Sequence, residues 1–357
     1  MKKYIVLTLV IALIGFFNSI AKDNIPNPNN SNTDSYRLLS SGCLPSTAQT
    51  IMDINNVRTT ILGGGDMWWD LDNAKYEIPQ GSDRHSMFAG ALWIGGLDAQ
   101  GNLKVAGMTY RQDGNDFWPG PLNSDYTSPD YGTIDASTCA EFDKHYKIEL
   151  SEVLEFIEYN NCIAPDCIKD EEFPDYVIPD AINNWPSDRL SVDGTFDYLA
   201  PYADLNGNMT YDPTLGEYPA YDVNKERDCK NEDILFGDQT LWWVFNDNGN
   251  IHTESGSESA IGLEIQAQGF GFQTNDEINN MTFYNYKIIN RSTQTLNETY
   301  FGQWVDPDLG EYQDDFVGCD VSLGLGYCYN GDAIDEGVAG YNYDSDDPPP
   351  AIGVDFF

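Results

Sequence analysis

Residues 241–250, LWWVFNDNGN, join a run of large apolar side chains directly to an Asn-rich turn signal. Such a run, rich in aromatic residues and closed by turn residues, predicts a β-strand. The Asn248–Gly249 pair favours the left-handed backbone of a tight hairpin turn. This stretch therefore predicts that its part of the chain folds as β structure.

Comparable runs occur on both sides of this stretch, at residues 86–94 (SMFAGALWI), 103–110 (LKVAGMTY), 260–272, 281–290 (MTFYNYKIIN) and 299–305 (TYFGQWV). The first two are joined through Gly95, Gly96 and residues 98–102, which predicts a hairpin. Short strands separated by frequent turn signals are typical of antiparallel sandwiches and barrels. We predict a mainly β fold, with an antiparallel β-sandwich-like body and long loops.

One segment departs from this pattern. Between residues 141 and 160 apolar side chains recur at helical spacing, without Gly or Pro, and this predicts a helical insertion. A Pro-rich, Cys-bearing connector follows to about residue 201. Two organisations stay open: one large β domain that carries the helix, or two lobes divided near residues 140–200.

The first 21 residues have the three parts of a secretory signal peptide. Lys2 and Lys3 form a positive start, an apolar run follows over 4–17, and Ser19 and Ala21 are small residues of the kind that signal peptidase recognises. The apolar run is shorter than the roughly 20 residues that a spanning helix needs. We predict cleavage after Ala21, export, and no membrane insertion of the remainder; an uncleaved anchor is the alternative. Residues 22–42 are predicted to be a flexible leader before the β-rich body, 43–357.

Charge narrows the possible partners. Without residues 1–21 the net charge changes from −40 to −42, because two lysines and no acids are removed. Such a chain repels nucleic acids and anionic membranes, since phosphate binding needs clustered Lys and Arg. Aromatic residues make up 13% of the chain, which is enough to build a core and unlike a disordered acidic tail. This composition fits an extracellular domain that binds divalent cations or one that stacks on sugars.

Cysteine usage agrees with export. Disulfides persist outside the cytoplasm, so we predict them here, and the odd number leaves at least one cysteine without a partner in the chain. Zinc is disfavoured because there is no CxxC pair and only three histidines occur. The seven cysteines are Cys43, Cys139, Cys162, Cys167, Cys229, Cys319 and Cys328.

A cation site is predicted in residues 204–213, DLNGNMTYDP. Asp and Asn alternate there at i, i+2 and i+4, which places three side-chain oxygens on one side of a tight loop, and Ca²⁺ takes six to eight oxygen ligands. The loop departs from an EF-hand because Gly207 is at its fourth position and Leu215 at its twelfth. An Asx-rich turn without an ion is the alternative. The predicted ligands are Asp204, Asn206, Asn208, Thr210 (through its carbonyl), Asp212 and Glu217.

Two other groups of residues are interpreted as structural. The tryptophan pairs Trp68–Trp69 and Trp242–Trp243 are predicted to lie in the core, with sugar stacking as the alternative if they are exposed. A second acidic cluster follows the strand at 299–305 and is predicted to be a solvated loop rather than an ion site. Its members are Asp306, Asp308, Asp314, Asp315 and Asp320.

No catalytic constellation stands out in the sequence. A serine nucleophile would need one of the three histidines, and no G-x-S-x-G motif occurs. Paired carboxylates for glycoside hydrolysis have too many candidates among 58 acidic residues to be recognised.

Several segments resemble the N-terminal region of large secreted proteins of Bacteroidetes. The resemblance implies export through the inner membrane, release by the type IX secretion machinery, and display at the cell surface or in the medium. Relatives have D-x-N-x-D-G-x-x-D-P at the predicted cation loop, whereas Asn208 and Met209 replace Asp and Gly here. Such proteins usually end in a C-terminal sorting domain, so we expect the body to be incomplete at Phe357. The segments are 91–122 (ALWIGGLDAQGNLKVAGMTYRQDGNDFWPGPL), 181–186 (AINNWP), 199–219 (LAPYADLNGNMTYDPTLGEYP), 237–252 (GDQTLWWVFNDNGNIH) and 280–332.

These observations favour a non-catalytic extracellular module for adhesion or glycan binding, stabilised by Ca²⁺ and disulfides. Its expected partners are glycans or other surface proteins. Two alternatives stay open: a secreted polysaccharide-degrading hydrolase that uses a carboxylate pair in an aromatic-lined cleft, and a structural stalk without a ligand.

Overall fold

The computed structural model describes residues 7–13, 41–112, 114–187, 199–221, 223, 234–257, 259–332 and 348–356. In chain order its strands are β1 (Leu7–Leu13), β2 (Gln49–Met52), β3 (Arg58–Leu62), β4 (Asp66–Met67), β5 (Tyr76–Glu77), β6 (Met87–Leu97), β7 (Leu103–Ala106), β8 (Trp118–Pro119), β9 (Tyr146–Glu149), β10 (Tyr202–Ala203), β11 (Tyr218–Pro219), β12 (Gln239–Asn246), β13 (Leu263–Gly271), β14 (Thr282–Asn290), β15 (Asn297–Pro307), β16 (Asp315–Asp320), β17 (Leu325–Asn330) and β18 (Ala351–Phe356). Its helices are α1 (Ala136–Glu141), α2 (Leu150–Asn161), α3 (Lys169–Glu172) and α4 (Asp180–Asn183), with 3₁₀ turns at Pro213–Leu215 and Glu277–Asn280.

These strands form two large sheets and one small ribbon. The nine-stranded sheet has the order β16-β17-β18-β1-β14-β13-β12-β8, and β9 also pairs with β12. The seven-stranded sheet has the order β15-β6-β4-β3-β2, with β5 on β3 and β7 on β6. The pairings are antiparallel except that β1 runs parallel to both of its neighbours. The predicted hairpin between residues 86 and 110 is confirmed as the pair β6–β7.

The main core lies between the two large sheets. Met87 and Ile94 of the seven-stranded sheet belong to the same buried apolar cluster as Leu241 and Ile265 of the nine-stranded sheet. Trp68 is fully buried in this cluster, and its indole N–H donates to the hydroxyl of Tyr284, 2.7 Å away. The mainly β, sandwich-like fold is therefore confirmed.

Strand β12 is buried on both of its faces. Alternate residues of a strand point to opposite sides. Trp243 belongs to the main core, whereas Trp242 and Val244 belong to a second core with Phe156 of α2 and Trp185. Described residues between β9 and β12, among them Phe156 and Trp185, thus cover the outer face of the sheet, which is why every residue of β12 is buried.

The helix predicted over 141–160 begins later than expected. Residues 146–149 form β9, which pairs antiparallel with Gln239–Trp242 of β12, and α2 begins only at Leu150. A capping box between Glu149 and Glu152 fixes that start. Pairing with β12 therefore takes the first residues of the helical pattern into the sheet.

The Asn248–Gly249 pair does not form the predicted tight hairpin turn. Strands β12 and β13 do pair, from Asn246 with Glu264 onward, but residues 247–262 form a wide loop between them. The carboxylate of Asp247 accepts the backbone N–H groups of Ile261, Gly262 and Leu263. This side chain closes the loop at its base, so the chain turns well beyond the Asn-Gly pair.

His252, a buried histidine of this loop, lies between the buried carboxylates of Asp116 and Asp247. His252 Nδ1 is 3.0 Å from the carbonyl oxygen of Val105, and Nε2 is 2.6 Å from the carbonyl oxygen of Asp247. The carboxylates of Asp116 and Asp247 approach the two ring nitrogens to 3.8 and 3.5 Å, and all three side chains are inaccessible to solvent. Carbonyl oxygens accept but cannot donate, so the oxygens around the ring favour a proton on each of its two nitrogens.

Two disulfides are present, as export predicts. They join Cys43 to Cys139 and Cys162 to Cys167. Cys319 and Cys328 are thiols, and Cys229 lies outside the described residues.

Part of the predicted signal peptide is present as a strand. Residues 7–13 form β1 in the nine-stranded sheet, whereas the predicted cleavage site at Ala21 and most of the leader lie outside the described residues. No helix among the described ranges is long and apolar enough to cross a membrane.

Candidate functional site

An exposed aromatic face lies on the seven-stranded sheet. We use the name aromatic face for Trp93 of β6, Tyr110, and Tyr300, Gly302 and Trp304 of β15. Trp93 and Trp304 have parallel rings, within 3°, with centroids 6.4 Å apart. Trp93 is 43% exposed and Tyr300 is 75% exposed. Large aromatic side chains that remain accessible in such a group are unusual on a surface and are enriched at binding sites.

The rings of this face are held by neighbouring groups. The indole N–H of Trp93 donates to the carbonyl oxygen of Met108 at 2.6 Å. The ring of Tyr110 meets Trp304 edge to face at 5.0 Å, and the Tyr110 hydroxyl donates to Asp306 at 2.5 Å. Burial and the Asp306 carboxylate both raise the pKa of Tyr110, so its hydroxyl stays protonated and able to donate. A ligand would therefore meet rings that are already ordered, which lowers the entropic cost of binding.

Gly302 leaves an open space in the middle of the face. In the β6–β15 pairing it lies opposite Trp93, and it separates Tyr300 from Trp304 along β15. A Cβ atom added at Gly302 would have no heavy atom within 4 Å. The face therefore has a shallow recess bordered by three aromatic side chains.

The tryptophans that the sequence singled out lie elsewhere. Trp68, Trp69, Trp242 and Trp243 are at most 3% exposed, which confirms the core prediction for both pairs and removes sugar stacking by them. Exposed rings at Trp68, Trp69 or Trp118 would have favoured the hydrolase alternative, but Trp118 is buried as well. Sequence reasoning missed Trp93 and Trp304, each of which is a single tryptophan within a predicted strand.

The acidic loop at residues 204–217 is a chain of side chain to backbone turns. Asp204 accepts the N–H groups of Gly207 and Met209, at 2.7 and 2.9 Å. Asn206 accepts from Asn208 N, and Asn208 accepts from Thr210 N. Burial raises the pKa of Asp204, but the N–H groups of Met209 and Gly207 outweigh this effect and keep it below its usual value. The side-chain oxygens of Asp204, Asn206 and Asn208 thus form successive Asx turns within one loop.

Glu217 is hydrogen-bonded to this loop through both of its carboxylate oxygens. It is fully buried, and its two oxygens accept from Asn206 Nδ2 at 2.8 Å and Asp212 N at 2.9 Å. None of the ion pairs within the described ranges includes it. A buried carboxylate is costly unless a positive charge compensates it, so this position suits a cation.

Asp212 and Thr210 fit the predicted ligand set less well. The Asp212 carboxylate accepts from the backbone N–H and the hydroxyl of Thr214, which caps the turn at Pro213–Leu215. Thr210 is exposed and contributes its N–H to Asn208. Across the described part of the chain, no three His, Cys, Asp or Glu side chains surround a common metal position, so a cation here would depend on amide and carbonyl oxygens.

The second acidic cluster is more enclosed than a solvated loop. Asp306, Asp308, Asp314 and Asp315 are half-buried. Asp306 accepts the hydroxyl of Tyr110, and Asp315 accepts the N–H of Leu309 at 3.0 Å. Asp306 thereby belongs to the border of the aromatic face.

Comparison with known proteins gives no relative for this chain: no family profile, no curated protein and no solved structure matches it. The fold and its two disulfides define a mainly β, disulfide-bonded protein of the kind found outside cells. The resemblance to type IX secretion proteins stays a prediction.

Proposed function

We propose that this chain is an exported glycan-binding module of the cell surface, and that the aromatic face is its binding surface. The observation that carries the proposal is the parallel pair of Trp93, which is 43% exposed, and Trp304, which is half-buried, on one face of the sheet. Sugar rings present flat C–H surfaces that stack on aromatic rings, and two parallel indoles offer such stacking to neighbouring sugars. Export, Ca²⁺ support and type IX secretion are parts of the same proposal.

The polar groups around the face suit hydroxyl-rich ligands. Asp306 lies at its border, where its carboxylate accepts the Tyr110 hydroxyl. A net charge of −40 disfavours sulfated or uronic polysaccharides, because like charges repel during approach. The expected ligands are therefore neutral polysaccharides or amino sugars.

The expected result of filling the recess is a loss of binding without a loss of stability. Gly302→Val adds side-chain atoms where a Cβ meets nothing, in a strand where β-branched residues are favoured. Trp93→Ala removes the more exposed indole. Each variant should weaken binding of neutral polysaccharides at least about tenfold, as is typical of aromatic hot spots.

Isothermal titration against neutral and anionic polysaccharides measures this effect. Tyr312→Ala, at an aromatic that is 65% exposed but outside the face, is the matched control and should bind like the parent protein. Wild-type affinity in both face variants would exclude this surface. Release of new reducing ends during incubation would instead favour the hydrolase alternative, and absence of binding to every glycan would favour the stalk.

Calcium is proposed to stabilise the loop at residues 204–217. Chelation by EGTA should lower the melting temperature relative to millimolar Ca²⁺, because a ligand that binds only the folded state stabilises it by mass action. Asn206→Ala removes one amide oxygen and should reduce the shift. Asn123→Ala, at another asparagine that forms an Asx turn, is the control. Equal melting curves with EGTA and with Ca²⁺ would exclude the cation.

A further inference from the structure

We infer that the nine-stranded sheet contains an acceptor site for an apolar β-strand of a partner polypeptide, between β14 and β18. These two strands do not pair with each other. Both pair with β1, which lies between them and runs parallel to each. Residues 10–13 are in register with 282–285 of β14, and residues 7–12 are in register with 351–356 of β18.

The strand that fills this position belongs to the segment predicted to be removed on export. Cleavage after Ala21 would take away all of β1 and leave the facing edges of β14 and β18 without backbone partners. Each N–H and C=O along these edges then needs another hydrogen-bonding group. Two open strand edges that face each other across the width of one strand form a template for an extended segment.

Both walls of the gap contribute side chains to the main core. Ile352 and Val354 of β18 and Cys328 of β17 are buried in the main core, together with Tyr284 and Tyr286 of β14. Strand β18 also pairs with β17 through residues 326–328. The two walls are therefore linked by shared apolar burial in the main core as well as by their pairing with β1.

The segment now in the gap indicates the chemistry of the ligand. Residues 7–13, LTLVIAL, carry no charge and no Gly or Pro, and Thr8, Val10 and Ile11 are β-branched. Strands that run parallel to both neighbours in the interior of a sheet are typically such continuous apolar runs. The occupant is an uncharged apolar segment of about six residues in a partner polypeptide, and it enters parallel to β14 and β18.

Disulfide trapping on the exported protein tests the site and its direction. The protein carries Phe356→Cys at an exposed position of β18, and Cys229→Ser and Cys319→Ser remove native cysteines that belong to neither disulfide. The probe is a synthetic peptide of residues 7–13 with flanking lysines and Ala12→Cys, since residue 12 is in register with residue 356. Controls are the same peptide with its cysteine at residue 7, the peptide with Val10→Pro, and a protein with Val321→Cys, which is 89% exposed on a turn.

The expected result is an exported protein that begins at Lys22 and is trapped by the Ala12→Cys peptide at residue 356. Trapping should be at least about tenfold lower with the proline peptide, because proline removes a ladder hydrogen bond and clashes in a central strand. Trapping should be equally low with the peptide whose cysteine is at residue 7 and with the Val321→Cys protein. An exported protein that retains residues 7–13, equal trapping of all peptides, no trapping, or a dimer that blocks trapping would each overturn the proposal.

Discussion

Replacing His252 by alanine is expected to destabilise the folded protein by about 3–5 kcal/mol, the range for removing one partner of a buried ion pair. His252 is the positive charge between Asp116 and Asp247. Burial raises the pKa of Asp247, while the charge of His252 and the backbone N–H groups of residues 261–263 act against that rise. Without the imidazolium, the two buried carboxylates keep hydrogen bonds only from backbone N–H groups. The base of the loop at 247–262 then loses its closure.

Urea denaturation measures this change, and a second substitution separates charge from volume. His252→Gln fills much of the same space and keeps a hydrogen-bond donor, but it cannot be positive. If the charge is the cause, glutamine should destabilise nearly as much as alanine. Nitrogen chemical shifts of the ring also report whether both nitrogens carry protons, as their contacts with two carbonyl oxygens favour. A loss below about 1 kcal/mol, or a single protonated nitrogen, would contradict the buried imidazolium.

The second large effect that we expect is a loss of folded-state stability in mild acid, caused by protonation of His145. This side chain packs against the ring of Trp243 at 5.3 Å, and its Nδ1 lies 3.0 Å from the hydroxyl of Thr50. Burial lowers its pKa to about 4, although Asp143 and Asp66 act in the opposite direction. In the unfolded chain histidine binds a proton near pH 6.5. Between these two values the unfolded state is protonated and the folded state is not, so acid favours unfolding.

The free energy of unfolding should therefore fall by about 2–3 kcal/mol as the pH drops from about 6.5 to about 4. Burial raises the pKa of the Asp143 carboxyl, but hydrogen bonds from Ser46, Thr47 and Ala48 bring it below the usual value. Protonation of the Asp143 carboxyl therefore lowers the stability of the folded protein only below about pH 4, outside this window. His145→Gln should flatten the profile between pH 6.5 and 4 relative to the parent. An unchanged slope in this variant would assign the effect to other groups.

The sequence predicted the strands well because their signal is local. Runs of apolar and aromatic residues at 281–290 and 299–305 became β14 and β15. Predictions failed where a distant partner decided the local structure. Tyr146–Glu149 has a helical pattern but pairs with β12, and the Asn-Gly turn gave way to the closure by Asp247 and His252.

The two candidate sites also differ in whether their residues lie close together in the sequence. The acidic loop was recognisable because its ligands lie within fourteen positions of one another, from Asp204 to Glu217. The aromatic face was not, because Trp93 and Trp304 meet only through the pairing of β6 with β15. A single tryptophan in a strand is most often a core residue, and no feature of either segment indicated which side would stay accessible.

Because β12 is buried on both faces, the two large sheets and the residues that cover β12 cannot be separated without exposing apolar surface. A shortened chain that kept only the two large sheets would expose Trp242 and Val244 as a new apolar patch, while the excised segment would lose the wall against which Phe156 and Trp185 pack. Each piece would then expose apolar surface that favours association. Strand β12 belongs to both cores. The residues that cover its outer face therefore cannot be moved to another scaffold without this strand.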